Sequence, residues 1–477
     1  MLAGLGLSGC VAVGPDYVPP TTEVPAGWAG LDPAAQPAMH AAASGDLGQW
    51  WQSLNDPLLS RLIDEALQAS PDLRSAQAKL REARAYRTVA AAGQYPSVTA
   101  SGSASRSRSS EEAGSGATRN FFSAGFDASW ELDMFGGVRR SVEAAEADLA
   151  STEASLENTR VSLVAEVALS YVDVRVLQNR LDIARSNLAS QSETLQLTDW
   201  RAQAGLVSSQ DVEQARSNRE QTRALIPALE ISLAESEHGL DILLGRAPGT
   251  LHGRLTAVNG LPAIPERIAV GIPADTLRQR PDVRAAERRL AAETARVGVA
   301  AAARYPSFDL SGSIGLEALT IDALGNSGAA TSSLFAGITG PIFNAGRLRA
   351  QVEIQDAVRE QAQVAYEQAI LTALQDVEDA LVSLVRNRER EQALTRAAEA
   401  ARNAVQMAQQ RYSSGLIDFQ SVLDTERSVL SIEDSLASTR GDDVLALIRL
   451  YKALGGGWAP DSASGAPITT TQHTDTP

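Results

Sequence analysis

Polar and apolar positions alternate along four stretches of the chain. From Ser97 to Ser105, Val98, Ala100, Gly102 and Ala104 interleave with Ser97, Thr99, Ser101, Ser103 and Ser105. From Phe122 to Asp133, Phe122, Ala124, Phe126, Ala128, Trp130 and Leu132 interleave with Ser123, Gly125, Asp127, Ser129, Glu131 and Asp133. Farther on, Phe308, Leu310, Gly312, Ile314 and Leu316 oppose Asp309, Ser311, Ser313 and Gly315, and Leu334, Ala336, Ile338 and Ile342 form a fourth apolar face. A period of two places the two sets on opposite faces of a β-strand. About ten residues with one apolar and one wetted face match a tilted membrane strand. The pattern therefore predicts strands near 97–105, 122–133, 307–316 and 333–343. Phe122, Phe126, Trp130, Leu132, Phe308, Leu310, Ile314 and Leu316 are the residues expected to face lipid. A soluble two-hairpin sandwich shares this alternation, but its weakness is the flanking sequence. Arg106–Thr118 and Glu317–Ser332, rich in Ser, Gly and Ala, predict exposed loops.

The period then changes. From about Val138 to Ala204 there is no proline or glycine, and apolar positions such as Val142, Leu149, Leu156, Leu163, Val167, Val174 and Leu181 recur at three, four and seven. A helix of that extent is roughly 100 Å long at 1.5 Å per residue, too long for one compact domain. Its many alanines allow close approach of neighbouring helices, as a coiled-coil wall requires. Gly205 ends the rod, and a return helix is expected from about Ser208 to Leu244, with Pro227 as a kink.

This plan occurs twice. Pro71-Asp72 returns as Pro281-Asp282, Tyr95-Pro96-Ser97 as Tyr305-Pro306-Ser307, and Gly205-Leu206 as Gly415-Leu416, all 210 positions apart. Between them Phe135-Gly136-Gly137-Val138-Arg139 pairs with Phe343-Asn344-Ala345-Gly346-Arg347 at an offset of 208, so a two-residue gap opens and closes. The second rod is expected over Gly346–Ser413 and its return helix over Ser421–Leu454. The resulting division is 1–9, a signal peptide; 10–57, an acylated N-terminal segment; 58–245, the first repeat; 246–280, a Pro- and Gly-rich linker folded against the rods; 281–457, the second repeat; and 458–477, a disordered tail.

Four strands do not close a membrane barrel, which begins at about eight. An open sheet leaves unsatisfied edges in lipid, so the chain is expected to associate cyclically. A dimer supplies eight strands, whose interior side chains fill; a conducting pore favours the trimer and twelve.

Composition narrows the function. The 58 acidic residues outnumber the 42 basic ones for a formal charge of −16, which argues against a nucleic-acid partner. The single cysteine, Cys10, excludes a disulfide within the chain and a cysteine metal cluster. Four histidines, His40, His238, His252 and His473, have no metal-ligand spacing. Gly4-Leu5-Gly6-Leu7-Ser8-Gly9 satisfies a dinucleotide-binding pattern but precedes no βαβ unit. No catalytic constellation is evident, so the chain is not expected to be an enzyme or to carry a cofactor.

Several segments resemble the outer-membrane factors of Gram-negative bacteria, the TolC-like family, and specifically its lipidated NodT/OprM-like branch. They are Leu7-Ser8-Gly9-Cys10, similar to a lipobox, Val13-Gly14-Pro15-Asp16-Tyr17-Val18-Pro19-Pro20, Trp50-Trp51 with Asp56-Pro57, and Arg280-Pro281-Asp282-Val283-Arg284. The resemblance implies an α+β fold, a TolC-like α/β-barrel protomer that closes as a homotrimer with a twelve-stranded barrel and a twelve-helix tunnel. It implies a lipid on Cys10, the outer membrane as location, and a periplasmic adaptor and a resistance-nodulation-division pump as partners. The implied role is a passive gated exit duct for small toxic compounds. By the same resemblance Gly205, Leu206, Val207, Ser208, Gly415, Leu416 and Ile417 form the adaptor-contact tips, and Asp424, Arg427, Gln420 and Tyr412 belong to a periplasmic gate. The place three residues before Asp424, where some members carry a second aspartate, holds Ser421. Two other roles remain open at this level: an exit duct for type I protein secretion and a non-conducting coiled-coil lipoprotein.

Overall fold

A computed structural model describes residues 12–20, 25, 27–29, 39–41, 47–256, 260–265, 268–270, 276–277 and 279–457. Cys10, the expected signal peptide and the expected tail lie outside the described residues. The helices are α1 (Pro57–Ala69), α2 (Pro71–Ala92), α3 (Gly137–Gln203), α4 (Ser209–Leu243), α5 (His252–Leu255), α6 (Pro281–Ala302), α7 (Arg347–Ser413) and α8 (Phe419–Ala453). The strands are β1 (Met39–Ala41), β2 (Ser97–Arg108), β3 (Thr118–Glu131), β4 (Ile268–Val270), β5 (Ser307–Ala318) and β6 (Ala330–Thr339). The repeat is legible in the element lengths. Helices α2 and α6 have 22 residues each, α3 and α7 67, and α4 and α8 35, and each pair starts 210 positions apart.

Two compact units divide the chain: one of residues 1–22, 78–155 and 282–369, the other of 23–77, 156–281 and 370–477. The first holds a four-stranded antiparallel sheet in the order β2-β3-β5-β6. Its register puts the expected apolar residues on one face: Ala100 opposite Phe126, Phe126 opposite Ile314, Trp130 opposite Leu310, and Phe308 opposite Ile338. Thr99, Asp127, Ser313 and Ser333 line up across the other face.

The strand limits differ from expectation: β3 starts four residues earlier and ends two earlier, β5 runs two residues farther, and β2 and β6 also shift. Arg106–Arg108 continue the β2–β3 ladder opposite Asn120–Thr118, because backbone pairing needs no apolar face and so leaves no trace in the hydropathy pattern. Strand β6 starts earlier and ends at Thr339. Pro341, two residues on, has no N–H to donate, and Ile342 is fully exposed beyond it. The Glu317–Ser332 segment carries two short 3-10 turns, Ile321–Gly325 and Ser327–Ala329. The 208 offset at Phe135/Phe343 returns to 210 at the helices, so Arg347 holds the place of Gly137 rather than Arg139. Helix α4 runs through Pro227 without interruption.

The N-terminal segment packs within the same unit. Arg140, nearly buried, donates to Asp16 (2.6 Å) and Glu143 (2.8 Å) and reaches the carbonyls of Val13 and Gly14. A Cβ on Gly14 would lie 2.5 Å from the Gly298 Cα, and one on Gly136 2.5 Å from the Ala12 Cβ.

The second unit holds the main apolar core, in which Trp50, Leu54, Leu62 and Ile63 pack with Val164, Tyr171, Leu381 and Leu447. Asp56 caps α1, accepting from the N–H groups of Leu58 and Leu59, and its other oxygen accepts from Tyr171 (2.7 Å). Arg175, the largest fully buried side chain, donates to that phenol and to the carbonyl of Leu255 (2.7 Å). A cap at the chain's start is thereby tied to the α3 rod. The linker is stapled here: Leu251 and Leu255 are fully buried, Arg254 pairs through both nitrogens with Glu65, and β1 and β4 pair in parallel.

Asp443 of α8 is buried with one carboxylate oxygen unpartnered among the described residues. Burial pushes its carboxyl up to about 6 against the attraction of Arg388, with Glu391 adding to the rise. Because the folded state holds this proton more tightly than the unfolded chain, stability is highest below the ordinary carboxyl value of 3.8 and falls as pH rises through about 6. Asp443→Asn is expected to unfold at the same denaturant concentration as the wild type near pH 4, and to be more stable by roughly 2–3 kcal/mol at pH 8. Denaturation of detergent-solubilised protein at both pH values measures this, and a difference independent of pH would contradict it.

Candidate functional site

The two rod-to-return turns are built alike. At the end of α3 the N–H of Gly205 bonds to the carbonyl of Ala202 and that of Leu206 to Arg201, both at 2.9 Å. At the end of α7, Gly415 and Leu416 bond to Tyr412 and Arg411 at the same 2.9 Å. This is the double bond of a Schellman cap, which needs a left-handed residue after the helix. Gly205 and Gly415 supply it with φ of 72° and 73°. Leu206 and Leu416 point outward, 68% and 74% exposed, while Val207 and Ile417 pack on the core beneath. Each return helix is then capped. The Ser208 hydroxyl accepts from the Asp211 N–H while the Asp211 carboxylate accepts from the Ser208 N–H. Asp418 accepts from the backbone and hydroxyl of Ser421, bonds that hold its carboxyl below the usual range.

Under the turns lies a small separate core: Leu195 of α3, Val212 and Ala215 of α4, Ala408 and Tyr412 of α7, and Phe419, Val422 and Leu423 of α8. Of the expected gate residues, Gln420, Asp424 and Arg427 come together on one side of α8. Gln420 Nε2 donates to Asp424 Oδ1 at 2.9 Å, and the Arg427 guanidinium lies 4.0 Å from the same oxygen. Tyr412 is elsewhere. It is buried 5.3 Å from the Phe419 ring, beneath the Arg201 guanidinium at 4.4 Å, and Arg201 also donates to its carbonyl. Its phenol is a packing group inside the protomer and is not brought to the Asp424 cluster.

Sequence reasoning missed the polar centre of this site. Glu426 is 4% exposed and takes bonds from the three other helices: Thr194 Oγ1 of α3 at 2.7 Å, Asn218 Nδ2 of α4 at 3.4 Å and Gln409 Nε2 of α7 at 3.4 Å. Burial raises its carboxyl above the usual range, and the bonds from Thr194 and Gln409 oppose that rise. Asn218, also buried, uses its remaining oxygen to accept from Arg427 Nε at 3.0 Å. A signal for Glu426 did exist. It continues the buried stripe Phe419, Val422, Leu423, Val429 at helical spacing, where an acid is out of place. Nothing comparable marks Thr194 or Gln409.

The expected lipid-facing residues Phe122, Phe126, Trp130, Phe308, Leu310, Ile314 and Leu316 share one face of the sheet by register. Leu132 follows the end of β3, with its N–H on the carbonyl of Phe308. Phe126, Ile314, Leu334 and Ile338 on this face are 58–80% exposed, an apolar surface that water does not favour. No described helix is long and apolar enough to cross a membrane.

The family model described as outer membrane efflux protein matches the chain twice, over residues 62–246 and 272–456, the same 210-residue spacing as the repeat. Nodulation protein T of Rhizobium leguminosarum bv. viciae is 35% identical over 470 residues, covering 97% of this chain and 94% of that protein. The solvent efflux pump outer membrane protein SrpC of Pseudomonas putida is 32% identical over 465 residues, covering 96% and 98%. The solved structure of the outer-membrane channel OprN superposes with a TM-score of 0.88 at 37% identity, covering 94% of this chain and all of that one.

A Cβ at either turn glycine would meet nothing within 4 Å, so the backbone alone sets the cost of substitution. Gly205→Ala and Gly415→Ala are each expected to lose about 1–2 kcal/mol. In denaturant titrations Gly205→Asn and Gly415→Asn should lose less than the alanine variants, and equal losses would count against the left-handed requirement.

Proposed function

The chain belongs to the outer membrane efflux protein family, and we propose that it is the outer-membrane duct of a tripartite pump, a homotrimer that conducts small toxic compounds passively. It is an outer-membrane efflux protein and not an enzyme. The observation that carries the finer reading is the sheet: four antiparallel strands, one apolar face, and edges β2 and β6 that have no further strand partner among the described residues. Four is an even number, so β6 of one copy runs antiparallel to β2 of the next, and a ring of copies closes with regular alternation. Three copies give twelve strands and an open interior.

Related proteins are named for export of solvent, toluene and pyoverdine, which supports small apolar or amphiphilic cargo here. The pump would supply the energy. An adaptor would seat on the two turns, where Leu206 and Leu416 stand out as apolar tips. Asp424, exposed and repeated three times about the axis, would hold a negative ring that favours cations and, with Arg427, forms the gate. A lipid on Cys10 fits the clamped N-terminal segment. Ala12, two positions or about 7 Å of chain after Cys10, packs on Gly136 just after β3.

Two measurements test this reading. Purified protein in planar bilayers is expected to conduct weakly and Asp424→Ala with Arg427→Ala to conduct several-fold more; silence of both proteins would refute the duct. Cys10→Ser should abolish labelling of the protein by radioactive palmitate in cells, and undiminished labelling would remove the lipid from Cys10.

A further inference from the structure

Asn218 stands between a buried acid and the gate arginine, and its amide has only one workable orientation. An ionised carboxylate can only accept, so Glu426 Oε2 requires the Asn218 NH2. The guanidinium can only donate, so Arg427 Nε requires the Asn218 carbonyl oxygen. The two bonds, 3.4 Å and 3.0 Å, use the amide in that one sense. The other Glu426 oxygen is occupied by Thr194 and Gln409.

We propose that Glu426 positions Arg427 through the Asn218 amide, so that the charge on Glu426 decides whether helix α4 holds the gate arginine. The inference rests on the gate reading above. When Glu426 takes a proton at Oε2 it becomes a donor toward Asn218. The amide then turns to present its oxygen, which leaves its NH2 facing the Arg427 N–H, donor against donor. Arg427 loses its hold on α4, and the cluster with Asp424 and Gln420 loosens.

The surroundings suit this role. Thr194 on α3, Asn218 on α4 and Gln409 on α7 are neutral, so no opposite charge on those partners pins Glu426 in its ionised form. The neighbouring ionisable groups along its own helix are Asp424 and Arg427. Burial already raises the carboxyl, which makes it easier to protonate than an exposed glutamate.

Bilayer recordings of the reconstituted full-length protein at pH 8 and pH 5 test the relay. Wild-type current is expected to rise several-fold on acidification. Glu426→Gln, which presents an NH2 to Asn218 at every pH, should show the acid-level current already at pH 8 and change little at pH 5. Glu426→Asp, which keeps the charge, should restore a pH-dependent current. Should Glu426→Gln not assemble, Asn218→Leu carries the test: it removes both bonds and is expected to give a raised, pH-insensitive current. The relay is overturned if Glu426→Gln, or in its place Asn218→Leu, keeps the wild-type profile while Arg427→Ala raises the current at both pH values. Arg427→Ala indistinguishable from wild type overturns the gate reading itself, and the relay with it.

Discussion

The rest of the structure depends on the unpaired backbone at the two edges of a four-stranded sheet. In lipid no water is available to an exposed N–H or C=O, and each one left unsatisfied costs several kcal/mol. Strands β2 and β6 offer such a row on either side of a sheet whose broad face is apolar. The sheet can neither stand alone in a bilayer nor turn its apolar face to water. The proposed ring answers both, since edge pairing with further copies of the chain would satisfy the backbone, and the even strand count would make each new junction antiparallel like those inside. The duct is on this account a property of the assembly, written into the protomer as two open edges.

Duplication supplied the remaining geometry, and divergence between the halves supplied the site. The turns after α3 and α7 have kept the same backbone bonds, the same left-handed glycine and the same outward leucine. A Schellman cap tolerates few alternatives, so its chemistry persists in both copies. The return helices have not stayed alike. At the repeat spacing, Gln214, Arg216 and Ser217 stand where the second half has Asp424, Glu426 and Arg427. The acid and the arginine therefore come from one half of the chain, while Asn218, which connects them across the helices, comes from the other. A ring of three chains would present two kinds of hairpin in alternation, with the charge carried by one kind.

Much of the architecture was legible in the sequence because it is local. Alternation over Phe122–Asp133 fixes which side chains share a face, and the register bears it out from Ala124 opposite Leu316 to Trp130 opposite Leu310. The gap-free runs fix the rods, which begin and end within a residue or two of expectation. Where the local signal is weak, the hydropathy pattern does not mark the element's end. The Arg106–Arg108 extension of β2 has no apolar face, and Arg139 and Arg347, which pair in the sequence repeat, stand two places apart on their helices.

By itself the sequence determined the periodicities, the lengths of the rods and the glycines of the turns, because each depends on neighbours within a few residues along the chain. Only the tertiary structure decided which side of each helix is buried among the other three. It turned Tyr412 inward beneath Arg201 and left Asp424 outside with Gln420 and Arg427. It also brought Thr194, Asn218 and Gln409 onto Glu426 from three separate helices, Thr194 and Asn218 from more than 200 positions away. The physical reason is that a helix repeats every 3.6 residues whatever it touches. Its pattern announces that a stripe is covered, and packing alone selects the side chains that cover it.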